Sequence, residues 1–375
     1  MRLRLAKRHR EEFVLLARAI KVLGPRNYTA LAKFTGLPVE TVRYRVKHLL
    51  AKAGVRIQAH VDHGKLGLAR YWLRLRFADG LDGLSVRFLE QLVVSGCLEH
   101  YGRLLPGGDY IAGLGLPPRF ERSYRIMLDR LVDMGVLEGY SMHKVSWIRY
   151  LSMREDCYDF ARGVWSFAWD GLHGRAPEDV SIEEDVLSKP RLDELDLQIT
   201  AWLQVDALTP ISEIARRLGV GYKRVLYHYR EHVLKRGIIK RYILRWQGRA
   251  GRGNLAYMLV IVRDVSGREL EEVKRTFQRI PFTFFDTYVA GERLYIAYVI
   301  LPVSYLQGCL SYIWRSLPPV RSRVVTELID TGCSRAFAIP LELYSDIEGW
   351  TFSVSSNLRK LFKLLKVSEK IGGTW

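Results

Sequence analysis

The chain has 375 residues, an apolar share of 48% and a formal net charge of +18, with a pI near 9.8. That length holds two or more domains with proper cores, and no apolar run reaches the length of a membrane span. So large a basic excess points to a polyanionic partner, and the four scattered cysteines, Cys97, Cys157, Cys309 and Cys333, exclude a disulfide scaffold and read as reduced and buried.

Residues 1–62 read as a first helix-turn-helix domain. Helices are expected over 9–22, 28–34 and 38–53, with Gly54 stopping the third and Val55-Arg56-Ile57 opening a strand. Residues 1–60 carry 14 cations against three acids. The third helix offers Thr41, Arg43, Tyr44, Arg45, Lys47 and His48 to a major groove, where arginine can pair with guanine and most other cations meet phosphate. His60 and His63, in HVDH, have metal-compatible spacing but no second cluster, so they read as surface or linker and no metal is expected.

Residues 66–150 read as βαββαβ. A strand over 70–78 alternates cationic and apolar residues, then come a helix over 84–94, a hairpin (98–105 and 110–116) around PGGD, a helix over 119–134 and a strand over 137–145. Residues 151–190 read as an aromatic helix and an acidic linker, APEDVSIEEDVLSKP.

From 191 to 246 the pattern of the first domain returns. Asp193 is a plausible N-cap, Ile211, Ile214, Ala215 and Leu218 face one way on a short helix, and Gly219 ends it. The third helix turns Val225, Tyr229 and Val233 inward and presents Tyr222, Lys223, Arg224, Tyr227, His228 and Arg230. A constant offset of 183 residues, without a gap, lays LAKFTGLPVETVRYRVKHLLAKAGVRI on IARRLGVGYKRVLYHYREHVLKRGIIK. Residues 247–254, QGRAGRGN, form a Gly/Arg loop whose Arg249 and Arg252 are candidates for phosphate or the minor groove. A second βαββαβ pattern fills 254–335, and 336–375 ends in a basic amphipathic helix. Both the aromatic segment and this last helix are expected to dock on their own domains.

LDELDLQI, EIARRLGV and KRGIIKRY, in that order, resemble the N-terminal domain of Lrp/AsnC-type transcription regulators of bacteria and archaea. The tandem form is archaeal-like, and the scarcity of asparagine and glutamine points to a thermophilic source. In that family a βαββαβ ferredoxin-like regulatory domain follows the reader. The expected class is therefore α+β: two copies of a winged helix-turn-helix domain, each followed by such a regulatory domain. One departure is that the interval from the inward residues of the third helix to Gly237 is about one residue longer than the family pattern.

The resemblance also implies that Gly108, Asp109 and Tyr110 border an effector pocket for a small molecule such as an amino acid, although the second copy has Gly291-Glu292-Arg293 there. Regulators of this type pair through their regulatory domains, so the two copies are expected to pair within one chain as a pseudo-dimer, with higher oligomers open. The segment MRLRLAKRHREEF lacks the apolar core of a signal peptide, and a cytoplasmic, membrane-free protein is expected. Double-stranded DNA is the expected partner and transcription control the expected role. A basic factor docking on RNA polymerase, a ribosome or RNA is the first rival. The second is an enzyme like the siroheme decarboxylases, which resemble this family in fold but have lost DNA binding. With no GxxxxGK[ST], GxSxG or HExxH in the chain, a non-enzyme without cofactor is expected.

Overall fold

The computed structural model describes residues 2–50, 54–151, 154–160, 162–172, 182–188, 190–246 and 254–371. In chain order the helices and strands are α1 (Arg2–Leu23), α2 (Tyr28–Thr35), α3 (Val39–Tyr44), β1 (Val55–Val61), β2 (Ala69–Phe77), α4 (Asp82–Ser95), β3 (Leu98–Leu105), β4 (Tyr110–Leu116), α5 (Glu121–Asp133), β5 (Leu137–Lys144) and β6 (Trp147–Tyr150). There follow β7 (Tyr158–Asp159), β8 (Val164–Trp165), α6 (Glu194–Val205), α7 (Ile211–Leu218), α8 (Tyr222–Tyr227), β9 (Ile239–Trp246), β10 (Leu255–Val262), α9 (Gly267–Arg279), β11 (Thr283–Val289), β12 (Leu294–Pro302), α10 (Leu306–Ser316), β13 (Val324–Ala336), β14 (Tyr344–Ser345), β15 (Gly349–Trp350) and α11 (Val354–Ile371). The architecture is mixed α+β with antiparallel sheets.

The chain divides into two compact units. One comprises residues 62–146, 184–201 and 327–375. Its sheet runs β5-β2-β4-β3-β13. Alternation along β2 sends Tyr71, Leu73 and Leu75 to a core shared with Phe88 and Leu92 of α4 and Met127, Leu128 and Leu131 of α5. The intervening cations are each engaged: Arg70 with Asp185, Arg74 with Asp109 and Glu327, and Arg76 with Asp109.

The other unit comprises residues 1–61, 147–183 and 202–326. Its larger sheet runs β10-β12-β11-β6, with Phe277 of α9 against Tyr295 of β12 at 5.5 Å. In a separate ribbon β1 pairs antiparallel with β9, Val55 opposite Trp246 and His60 opposite Arg241.

Each unit borrows its last pieces from the other half of the sequence. Beyond β5 the chain continues as β6, which pairs not with its own repeat but with β11, Arg149 opposite Asp286. Arg149 is buried and holds the buried Asp286 through two hydrogen bonds, while Tyr295 donates to the same carboxylate at 2.6 Å. Residues beyond 326 in β13 likewise pair with β3, and Arg103 bonds Asp330 at 2.6 Å. The tails follow. Phe167 stacks on Tyr305 (5.5 Å) and Trp169 lies against Tyr312 (5.6 Å), where Gly308 leaves room that a Cβ would close. Phe352 stacks on Tyr124 (5.3 Å), and Leu358 and Leu361 of α11 join the core of α4 and α5.

Two expectations are thereby corrected. The tails dock on the opposite repeat, because β6 and β13 carry the chain there first. The stretch after 153 forms no aromatic helix among the described residues. Gly163, in the left-handed region at φ 70°, turns it into the β7–β8 ribbon, whose Tyr158 and Trp165 rings meet edge to face at 5.0 Å.

Candidate nucleic-acid interface

Residues 28–49 and 211–234 fold alike. Each opens with an eight-residue helix ended by a left-handed glycine, Gly36 at φ 69° and Gly219 at φ 65°. A sharp turn follows, and α3 and α8 begin after Pro38 and Gly221. Neither third helix stays α. Arg45–Leu49 and His228–Leu234 are wound as π-helix, whose wider turn absorbs one extra residue. That is the extra residue noted between the inward positions and Gly237.

The wider turn changes which side chains face out. In the first copy Val42, Val46 and Leu50 are buried, and Arg45 joins them at 7% exposure. Its guanidinium bonds Glu12 of α1 at 2.6 Å and lies over the ring of Phe13. In the second copy Val225, Tyr229 and Val233 are buried, and His228, 183 residues after Arg45, is buried too, 4.5 Å from the ring of His232. Arg45 and His228 therefore leave the groove-facing set. The α-helical period used in the sequence placed them outside; the π turn rotates them in.

The rest of the set lies at the surface. Arg43, Tyr44, Lys47 and His48 are exposed and Thr41 half-buried; Tyr222, Lys223, Arg224, Tyr227 and Arg230 are all exposed. Tyr44 and Tyr227 occupy matching positions with 56% and 57% exposure. Arg43 is paired with Glu40 at 2.9 Å, a surface contact that a phosphate can displace. Tyr44 leans on His48 at 5.3 Å, and Tyr227 on His232 at 5.4 Å. On α7, Arg216 and Arg217 share Glu213; hydrogen bonds from the two arginines hold its carboxyl at about 2. Arg249 and Arg252 lie outside the described residues.

Behind these helices the β1–β9 ribbon is clasped by one carboxylate. Glu183 is buried and accepts from His60 at 2.6 Å and from Arg241 at 2.5 Å. Burial pushes its pKa up, but the His60 hydrogen bond, with the charges of His60, Arg241 and Lys240, outweighs that and leaves it at about 2. His60 and Arg241 face each other across the ribbon, so Glu183 bonds one strand from each half of the sequence. Sequence reasoning missed this, though an acidic run in a very basic chain was the available signal. His60 and His63 are both buried rather than superficial, His63 bonding Glu99 at 2.9 Å.

The turn Gly108-Asp109-Tyr110 is occupied by the fold itself. Gly108 is left-handed at φ 78°. Asp109 is buried; burial raises its pKa, but hydrogen bonds from Arg76 and Arg74 overcome that and lower it. Tyr110 is buried, its hydroxyl 2.8 Å from that of Ser85. The carboxylate and hydroxyl expected at an effector pocket thus already have protein partners.

No family model matches the chain, and no curated protein does. Among solved structures, siroheme decarboxylase NirDL in co-complex with an iron-uroporphyrin III analogue is similar over 96% of this chain and 100% of its own, with a TM-score of 0.52 and 14% identity. A second structure of NirDL gives 0.53 at 14% identity over 96% of this chain and 99% of its own. The leucine response regulatory protein LrpA of Mycobacterium tuberculosis matches 37% of this chain and 92% of its own, with a TM-score of 0.26 and 21% identity. The chain thus has the fold of siroheme decarboxylase NirDL along nearly its whole length. This overturns the expectation of a non-enzyme, since the fold matched end to end is one that carries an enzyme. Among the described residues no helix is long and apolar enough to cross a membrane.

Proposed function

We propose that the chain binds double-stranded DNA as a transcription regulator, with α3 and α8, each with its π-helical continuation, as two readers on one molecule. The observation that carries this is the matched exposure of a tyrosine and a cation at repeat-equivalent positions, Tyr44 and Lys47 in the first copy and Tyr227 and Arg230 in the second, with Arg43 and Arg224 exposed beside them. Such helices fit a major groove, with arginines available to guanine and lysines to phosphate. The readers carry different residues, so two unlike half-sites are expected rather than a palindrome, one helical turn (about 10 base pairs) or a multiple apart. Fluorescence anisotropy with selected duplexes tests this. Arg43→Ala with Lys47→Ala should weaken binding, each lost phosphate contact flattening the logarithmic salt slope by about 0.9. Unchanged affinity in the folded double variant would refute the assignment. Preference for RNA over duplex DNA in the same assay would favour the rival factor that docks on RNA polymerase or a ribosome.

A second reading rests on the end-to-end likeness to NirDL: an enzyme acting on a tetrapyrrole of the siroheme type. It does not exclude the first. Titrating the whole chain with an iron-uroporphyrin while following the visible absorption band tests it, and an unshifted band would count against it.

A further inference from the structure

Pro117 and Pro302 open the helical segments that contain α5 and α10, and an offset of 185 residues superposes their buried faces: Tyr124 on Cys309, Met127 on Tyr312, Leu128 on Ile313. At the same offset Asp129 of α5 corresponds to Trp314 of α10. In the first copy Tyr140 of β5 reaches across this corner and donates to Asp129 at 2.6 Å. In the second copy it is open. A cavity of about 510 Å³ lies between α10 and the start of β13, and Trp314 lines it while staying 59% exposed. That volume is in the range of small-molecule sites.

The lining is apolar and cationic. Leu310, Leu317 and Val324 form walls, and Arg315 and Arg321 supply charge, with no carboxylate among the lining residues. Arg321 is set in place: its guanidinium stacks over the Trp314 ring at 4.2 Å and its Nε donates to the Trp314 carbonyl at 3.1 Å. Among the described residues its two terminal nitrogens have no protein partner, which leaves the edge that carboxylates bind bidentately. Arg315 is held by Asp170, which lies outside the lining.

We propose that this cavity binds a small apolar carboxylate, its carboxylate on Arg321 and its apolar body on Trp314 and Leu310. The absence of a lining acid selects further. An α-ammonium group would enter beside two guanidinium groups with no lining carboxylate to receive it, so a simple aryl or branched carboxylic acid is taken in preference to the matching amino acid. The proposal does not depend on DNA binding.

Isothermal titration of the full chain with 3-phenylpropionate, and with phenylalanine as its ammonium-bearing counterpart, is the test. One saturable site per chain is expected for the acid, with phenylalanine at least about tenfold weaker, and Arg321→Gln should weaken the acid by a similar factor. Trp314→Asp gives this exposed position the residue of the first copy; it should abolish binding even if Arg321→Gln proves unstable. Absence of a saturable site, equal affinity for phenylalanine, or full binding by Trp314→Asp would each overturn the proposal.

Discussion

The two third helices share a backbone and differ in what they bury. At the position the π turn rotates inward, the first has Arg45 against Glu12 and the second has His228 beside His232. The outward tyrosines are matched almost to the percent in exposure. Backbone geometry, shared by the two stretches, thus decides which positions reach the surface, and chemistry varies on both sides of that boundary. Here a buried arginine is scaffold and an exposed tyrosine is the candidate contact.

The sharpest way to break this contrast is at the buried position. Glu12→Ala leaves Arg45 enclosed without its carboxylate and should cost about 3 kcal/mol, seen as a lower urea midpoint. His228→Ala removes a buried ring set against His232 and should cost roughly 1 kcal/mol. Equal costs would show that the two positions are not different in kind.

Acid comes next, because it strikes the carboxylate that bonds both halves of the ribbon. The folded pKa of Glu183 lies near 2, below its ordinary 4.5. Its contribution is therefore complete above about pH 4.5 and is lost as pH falls through about 2, amounting to roughly 2 kcal/mol after allowance for relaxation. Glu183→Gln should flatten that limb of the Tm–pH curve relative to the parent chain. If the two curves run parallel, Glu183 does not clasp the ribbon.

A smaller effect, on affinity rather than stability, separates the two proposed readers. Lys223→Ala with Arg224→Ala should reduce DNA affinity and salt slope less than the first-copy pair, since the first segment has the greater basic excess. Anisotropy at two salt concentrations measures it; the reverse order would make the second reader dominant. The smallest expected change is His48→Ala. It removes only the ring beneath Tyr44 and should alter duplex affinity by less than about threefold, consistent with a ring contact worth about 0.5 kcal/mol.

Much of the fold was legible because its signals are local. Glycines at helix ends, alternation along β2, and an ungapped offset between two stretches each state a conformation within a few residues. The surface positions of Arg43, Lys47, Lys223 and Arg224 were legible that way. What stayed hidden is either a subtle winding or a distant choice of partner. A π turn and an α turn share the same apolar pattern for several residues, so Arg45 and His228 could not be told from their neighbours. Strand exchange leaves no local mark: β6 is four residues long, three of them buried in succession, and nothing in WIRY says which sheet it joins. Trp314 was legible only as one more aromatic residue on an amphipathic helix, because its meaning lies in the Asp129 that the other copy holds.

Pairing of β1 with β9 also sets an order of events during synthesis. Val55 finds its partner only when Trp246 has been made, so β1 leaves the ribosome long before its ribbon can close. Until then a nascent chain carries an open strand edge next to a strongly basic helix. Chaperone occupancy is expected to be highest over that interval, and stalled or truncated products should be recognised and removed rather than accumulate.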